Sequence, residues 1–346
     1  MSSVSAHLSP AESALLERAR TGDDRAYGEL VDPHRRTLHA HCYRMLGSLE
    51  DADDAMQDAL LRAWRGLGRF EGRSSLRTWL YTIATNACLR IAQRRRSRVL
   101  PRDNGPPAAT GTPPGAPLAE TVWIEPYPED EMPGASDAAS PGARYEERET
   151  LELAFVAALQ HLPPRQRAVL LLREVLDFSA REAAGLLETS VPSVNSALQR
   201  ARRTLGERAP QRSQQATLRE LGDERSRALV TAYVDAIEGA DVDRVLALLT
   251  ADAAWSMPPL RSWYQGREPV SVFLTGWPFR ERWRHLPARV NGQLAVGCYL
   301  WDAGQGDFGA GVIDVLTLRG DRIAEVTAFI GAERFPRFGL PGRLPA

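Results

Sequence analysis

The chain contains no lysine. All 43 of its basic side chains are arginine, against 44 acidic ones, a uniformity that speaks of codon usage more than of function. Cysteine is scarce as well: Cys42, Cys88 and Cys298 are scattered, which suits a reducing cytoplasm rather than a disulfide framework. His39, His41 and Cys42 cluster in HAHC, yet no second ligand pair stands at a zinc spacing, so no metal site is expected and core or surface roles are preferred. No apolar run approaches the length of a membrane span, and the opening MSSVSAHLSPAES lacks the basic-then-apolar pattern of a secretion signal. These absences lead to the expectation of a cytoplasmic protein with no membrane partner and no cofactor. With 346 residues, 43% hydrophobic and 25% charged, the composition is that of an ordinary soluble protein of two or three domains.

One local absence is more informative. From Gly72 to Arg102 there is no acidic side chain, while Arg73, Arg77, Arg90, Arg94, Arg95, Arg96, Arg98 and Arg102 all fall inside. In a chain whose net charge is −1, that segregation of sign is what a nucleic-acid face needs, because phosphate contacts are electrostatic. A solvated basic helix is the plain alternative. The residues just before argue against it: Asp51, Asp54, Gln57, Asp58, Leu61 and Trp64 recur at helical spacing and make an edge that is acidic and then apolar. Such an edge suits a protein partner better than DNA. A loop, Phe70 to Ser75, follows, and then Trp79, Leu80, Ile83, Ala84 and Ala87 form a core stripe that leaves Arg77, Asn86 and Arg90 for another face.

Read together, DADDAMQDALLRAWRGLGRFEGRSSLRTWLYTIATNACLRIAQRRRSR resembles region 2 of the bacterial sigma-70 family, in its short extracytoplasmic-function (ECF) class. The resemblance implies that Asp51, Asp54, Gln57, Asp58, Leu61 and Trp64 bind the β′ clamp helices of core RNA polymerase. It also implies that the following loop and helix hold the −10 promoter element as it melts. Phe70, Arg73, Ser74 and Ser75 are then the candidates for capturing an unstacked base, which offsets the few kcal/mol of opening the duplex. Arg77, Arg90, Arg94, Arg95 and Arg96 would hold the backbone, and Asn86 would read a base edge.

A second signature lies in residues 150–205, an array of helices expected at 151–161, 163–176, 179–187 and 190–205. Ser179 with Glu182 has the capping-box spacing, and Ser190 caps a helix with Pro192 near its start, so the last pair has helix-turn-helix spacing. Val194, Ala197 and Leu198 face inward. Ser193, Asn195, Ser196, Gln199, Arg200, Arg202 and Arg203 project elsewhere, small polar residues first and arginines later, an order that reads base edges and then holds phosphates. The run PPRQRAVLLLREVLDFSAREAAGLLETSVPSVNSALQRARRTL resembles sigma region 4, which grips the −35 element and the β flap of the polymerase. The resemblance assigns Ser190, Ser193, Asn195, Ser196, Gln199, Arg200 and Arg203 to −35 DNA. Asn195 and Ala197 depart from the basic or polar residue followed by arginine that many members carry, which leaves the promoter motif open.

Between the two signatures, residues 101–145 are rich in Pro, Gly and Ala, with acids outnumbering bases, and no packed core is expected there. In the resembled family the equivalent linker threads the template and RNA-exit channels of the polymerase. Trp123, Ile124 and Tyr127 suggest a local anchor.

After Glu224 the pattern changes to two amphipathic helices and then strands, expected at 254–257, 294–300, 311–318 and 323–330 in a curved antiparallel sheet. The segments TAYVDAIEGADVDRVLALLTADAAWSMPP, WYQGREPVSVFL, ARVNGQLAVGCYL and RFGLP resemble the SnoaL-like domain, which shares its fold with ketosteroid isomerase. Trp255, Met257, Trp263, Tyr264, Arg289, Asn291 and Phe329 are candidates to line its pocket for an unknown small ligand.

The expected architecture is therefore multidomain. Two all-α sigma domains, a region 2 helical bundle (8–100) and a region 4 helix-turn-helix (146–208), are joined by a flexible linker (101–145). An α+β cone (223–346) follows. The cone reads as a regulatory domain acting in cis; an isomerase or hydrolase would need a carboxylate base paired with a hydroxyl or acid, and Asp252, Asp302, Asp314 and Glu325 are the carboxylates available. For the whole chain the alternative is a helix-turn-helix regulator with a ligand-sensing or vestigially enzymatic C-terminal domain. That alternative leaves the 51–98 block unexplained.

Overall fold

A computed structural model describes residues 8–117, 123–133 and 148–346, so Glu120, Asp137 and Arg144 of the linker and the first seven residues lie outside the described part. The chain divides into two compact units, residues 1–97 with 156–209, and residues 98–155 with 210–346.

The first unit is all helical. Helices α1 (Pro10–Arg20), α2 (Asp24–Leu46), α3 (Leu49–Gly66) and α4 (Leu76–Arg94) begin at Ser9, Asp23, Ser48 and Ser75, whose side-chain oxygens each accept a backbone N–H of the first turn. Gly47, at φ 69°, closes α2 in the left-handed conformation and turns the chain at once into α3. Helix α5 (Leu153–Gln160) contributes its residues from Val156 on. Then come α6 (Pro164–Leu170), a single π turn over 171–175, α7 (Ala180–Leu186) and α8 (Val191–Arg208). Ser179 and Glu182 make the reciprocal capping box that their spacing predicts, and Ser190 caps α8.

Arg167, 2% exposed, pins the centre of this unit: its guanidinium donates to the carbonyls of Met45, Leu159, Gln160 and Leu162. Gln160 in turn donates to the carbonyl of Arg44 at 3.1 Å. A buried cation is tolerated here because every direction of its fork meets an acceptor. His41 is buried against the Thr85 hydroxyl at 3.0 Å, and all three cysteines are buried free thiols. Among the described residues no group of His, Cys, Asp and Glu could hold a metal ion, and no helix is long and apolar enough to cross a membrane.

The second unit is a seven-stranded sheet with helices α9 (Gln214–Leu221), α10 (Asp223–Glu238), α11 (Val242–Leu248) and α12 (Arg267–Gly276). Its strands are β1 (Leu249–Ser256), β2 (Trp263–Gln265), β3 (Trp283–Val290), β4 (Gln293–Asp302), β5 (Asp307–Arg319), β6 (Arg322–Ile330) and β7 (Arg343–Leu344), in the order β2-β1-β6-β5-β4-β3 with β7 on β5. The sheet is mixed rather than wholly antiparallel, because β1 and β6 run parallel. Bulges at Cys298/Tyr299 and Thr317/Leu318 interrupt the register. Tyr233, Trp255, Phe273, Val296 and Leu316 belong to the core between sheet and helices.

The described part of the expected spacer has a fixed place in this unit. Trp123, Ile124 and Tyr127 are buried, consistent with the anchor that their composition suggests. Tyr127 and Asn291 exchange hydrogen bonds: the Tyr127 N–H donates to Asn291 Oδ1 at 2.8 Å, and the Asn291 N–H to the Tyr127 carbonyl at 2.9 Å. Further back, Ala108 N–H donates to the Trp263 carbonyl at 2.8 Å, while Trp263 Nε1 and the Tyr264 hydroxyl donate to the carbonyls of Gly105 and Thr112. Ion pairs Arg102–Glu325 (2.5 Å) and Arg337–Glu131 (2.7 Å) complete the seat. Proline and glycine deprive such a segment of its own core but leave its carbonyls and N–H groups available to a neighbouring surface.

Candidate nucleic-acid interface

Helix α8 presents the residues that its sequence pattern singles out. Val194, Leu198 and Ala201 are buried against the unit, and this fixes the helix's rotation. Ser193, Asn195, Ser196, Gln199, Arg200 and Arg203 are all exposed on what remains. Neither Arg200 nor Arg203 has an acidic partner among the described residues, whereas Arg202, one step round, pairs with Glu174. Ser190 is spent on the N-cap, its hydroxyl accepting the Ser193 N–H at 3.3 Å.

The α4 face is arranged differently. Phe70 is 4% exposed and packs its ring 4.9 Å from Trp79, and the Phe70 carbonyl accepts a hydrogen bond from Arg20. Arg73 is exposed and paired with Glu71 at 2.7 Å; Ser75 caps α4, and Ser74 is half-buried beside it. Arg77 lays its guanidinium over the Tyr81 and Phe178 rings, 5.3 and 4.7 Å from their centroids, and donates to the Leu176 carbonyl at 2.8 Å. Arg90 pairs with Asp58 at 2.7 Å, and Arg95 pairs with Asp51. Arg94, Arg95 and Arg96 are exposed and Asn86 is half-buried.

On α3, Asp54, Gln57 and Leu61 line one exposed edge at helical spacing; Leu61, 48% exposed, is one of few large apolar side chains left open to solvent. Asp58 and Trp64 are half-buried, with Trp64 edge-on to Tyr27 at 4.9 Å. Asp51 is not on that edge. It is 2% exposed, in the first turn of α3, where helix polarity favours an acid. Burial pushes the Asp58 carboxyl up, but hydrogen bonds from Arg62 and Arg90 outweigh this and hold it below the usual carboxylate range.

In the second unit the predicted pocket set is dispersed. Only Trp255 lines the apolar cavity, which is walled chiefly from α10, α12 and β3 to β6. Trp263 and Tyr264 receive the 105–112 segment, Asn291 sits in the β3–β4 turn, and Arg289 is exposed on β3. Met257 and Phe329 are buried without lining the cavity. The carboxylates separate too: Asp252 is exposed and paired with Arg319, Asp302 is half-buried and paired with Arg343, while Asp314 and Glu325 are buried. Sequence reasoning misses Cys298 and His285 as cavity residues and offers Asp314 only as an available carboxylate; residues 313–316 are all buried, so alternation does not single it out, and only the packing of α10 brings Tyr233 to it.

Comparison with known proteins covers both units. Residues 30–99 match Sigma-70 region 2, residues 152–205 match Sigma-70 region 4, and residues 230–326 match the SnoaL-like domain. The ECF RNA polymerase sigma factor SigG of Mycobacterium tuberculosis is 42% identical over 329 residues, covering 94% of this chain and 86% of that protein. SigM of the same organism, also an ECF sigma factor, is 31% identical over 56% of this chain and 82% of its own length. Among solved structures, that of the M. tuberculosis extracytoplasmic function sigma factor SigJ superposes with a TM-score of 0.55 at 21% identity, covering 89% of this chain and 97% of that one.

Proposed function

Since this chain belongs to the ECF RNA polymerase sigma factors and serves transcription initiation, we propose how its surfaces divide that work and how its SnoaL-like domain modulates it in cis. The exposed α3 edge, Asp54, Gln57 and Leu61, docks on the β′ clamp helices of core RNA polymerase, with Asp58 and Trp64 at its margin. Asp51 acts from beneath, positioning Arg95. The 70–75 loop and α4 hold the −10 element: Arg73, Ser74, Arg94, Arg95 and Arg96 reach the strand, Asn86 reads a base edge, and Phe70 and Ser75 shape the loop from below. Helix α8 enters the −35 major groove on Ser193, Asn195, Ser196 and Gln199, and Arg200 and Arg203 sit on phosphates. The protein works where the polymerase is, in the cytoplasm, and as a binding protein rather than an enzyme.

The observation that carries the regulatory part is the seat of residues 102–112 and 123–131. A segment whose backbone is bonded to Trp263, Tyr264 and Asn291 is not at the same time free to thread a polymerase channel. Seated and polymerase-bound states therefore compete, and any input shifts the balance only by its difference in affinity for the two. Run-off transcription with purified core enzyme tests this on the full-length chain, on an Arg102→Ala, Asn291→Ala double variant, and on a chain ending at Arg208. Promoter-dependent output from the double variant and the shortened chain should depart from the full-length value in the same direction, by roughly tenfold for a seat worth a kcal/mol or two. Equal output from all three would remove the cis-regulatory role and leave the polymerase and promoter assignments standing.

A further inference from the structure

Asp314 is a buried carboxyl that neither promoter recognition nor the linker seat uses. It lies on β5, 5% exposed, and Tyr233 of α10 donates its hydroxyl to Oδ2 at 2.8 Å. Cys298 of β4 reaches the same oxygen with its thiol at 3.4 Å. Both protein donors fall on one oxygen, so Oδ1 has none among the described residues. The carboxyl lines a cavity of about 80 Å³ that is partly open to solvent. Trp255, Phe273, Trp283 and Val312 make most of that wall apolar. The other polar wall residue of note, His285, turns its ring to Glu238 at 3.4 Å, and burial holds the imidazole pKa down. Oδ1 is open to this cavity rather than sealed, so whatever donates to it enters from outside the protein.

We propose that this cavity is a binding site for a small compound built on one apolar ring and bearing a hydroxyl, whose O–H donates to Asp314 Oδ1 while the ring lies against Trp255, Phe273 and Trp283. The chemistry excludes alternatives on each side. An anion meets the carboxyl and no cation; Arg residues are absent from the wall. An ammonium would pair with the carboxylate but leave its other N–H groups without acceptors in apolar surroundings. A purely apolar ring fills the space and leaves Oδ1 unsatisfied. Size points the same way: the cavity is about half of the roughly 150 Å³ at which an apolar cavity takes up benzene, so nothing larger than a single ring enters, and its far edge stays in the open mouth. Burial pushes Asp314 up to about 6, which leaves it chiefly an acceptor at neutral pH. The site is independent of the transcription reading and is tested without polymerase.

The test uses the full-length protein, isothermal calorimetry and the rise in melting temperature, with three probes of one shape: 4-methylphenol, toluene and 4-methylbenzylamine. The phenol should bind at least about tenfold tighter than toluene, the difference expected of one hydrogen bond to a buried carboxyl, and tighter than the amine. Asp314→Leu should bring the phenol down to the level of toluene. Ala328→Leu, which fills the cavity and leaves Asp314 intact, should abolish binding of all three, so the proposal stays testable if the Asp314 variant does not fold. Equal affinity for phenol and toluene, preference for the amine, no phenol binding at millimolar concentration, or phenol binding undiminished by Ala328→Leu would each overturn it.

Discussion

Two helices of the first unit carry arginine-rich faces, and they stand in opposite conditions. On α8 the polar residues and Arg200 and Arg203 are open to solvent and paired with no acid among the described residues. On α4 and its C-cap three arginines already have partners: Arg77 lies on two aromatic rings and a carbonyl, Arg90 on Asp58, and Arg95 on Asp51. A charge held by its own chain must be exchanged for phosphate, so its contribution to DNA binding is a difference between two partners. An open charge contributes in full. The same residue type at similar spacing therefore has unequal value on the two faces, and only packing reveals which is which.

The largest effect should come from the open face. Replacing Arg200 and Arg203 together with alanine removes two phosphate contacts. Promoter affinity of the holoenzyme should fall by roughly ten- to a hundredfold at 0.1 M salt, and the slope of log affinity against log salt should shrink by about 2. Because neither side chain supports the fold, the unfolding free energy read from denaturant titration should stay within about 0.5 kcal/mol of the parent. An unchanged salt slope would take α8 off the DNA and end the comparison.

Next in size is Arg77→Ala on the occupied face. Its guanidinium joins α4 to the turn at Leu176 and Phe178, through one hydrogen bond and two ring contacts. Stability should fall by about 1–2 kcal/mol, the usual worth of such contacts at a partly exposed site. Urea unfolding reads this directly. A variant as stable as the parent, with weakened promoter binding, would put Arg77 on the same footing as Arg200 and erase the distinction drawn between the faces.

Much of the helical half was legible because its signals are local. Ser179 with Glu182, Ser190 with Pro192, and apolar residues at helical spacing each act within a few residues, and the helices start where these predict. The cone was legible in outline and less so in detail. Strand β3 escaped notice because its charged residues and Pro287 blur the alternation, which an edge strand tolerates. A signal for it was present: Asn291-Gly292, both at positive φ, is the two-residue turn that joins β3 to β4. Reading Asn291 as a pocket residue overlooked that. The linker's seat had no local signal beyond three aromatic or aliphatic residues, since its partners Trp263, Asn291 and Glu325 lie more than 100 positions away. The cavity was hidden for the same reason, with Asp314 and Tyr233 meeting across sheet and helix.

The smallest expected effect sharpens the comparison most finely. Asp58 holds Arg90 and Arg62 at 2.7 Å each, and those hydrogen bonds keep its carboxyl below the usual range against the opposing pull of burial. A carboxyl depressed in the folded state contributes stability above its unfolded value of about 3.8 and loses that contribution as pH falls through the folded value. The pairs are close to solvent, so Asp58→Asn should cost only a few tenths of a kcal/mol at pH 7, and nothing once the pH is low enough to protonate the parent. Freed of its acid, Arg90 should then meet phosphate at full value, and −10 DNA should bind the holoenzyme about two- to fivefold tighter at low salt. If Asp58→Asn instead weakens that binding, Asp58 is holding Arg90 in the posture that DNA requires, and the occupied face is a preorganised one.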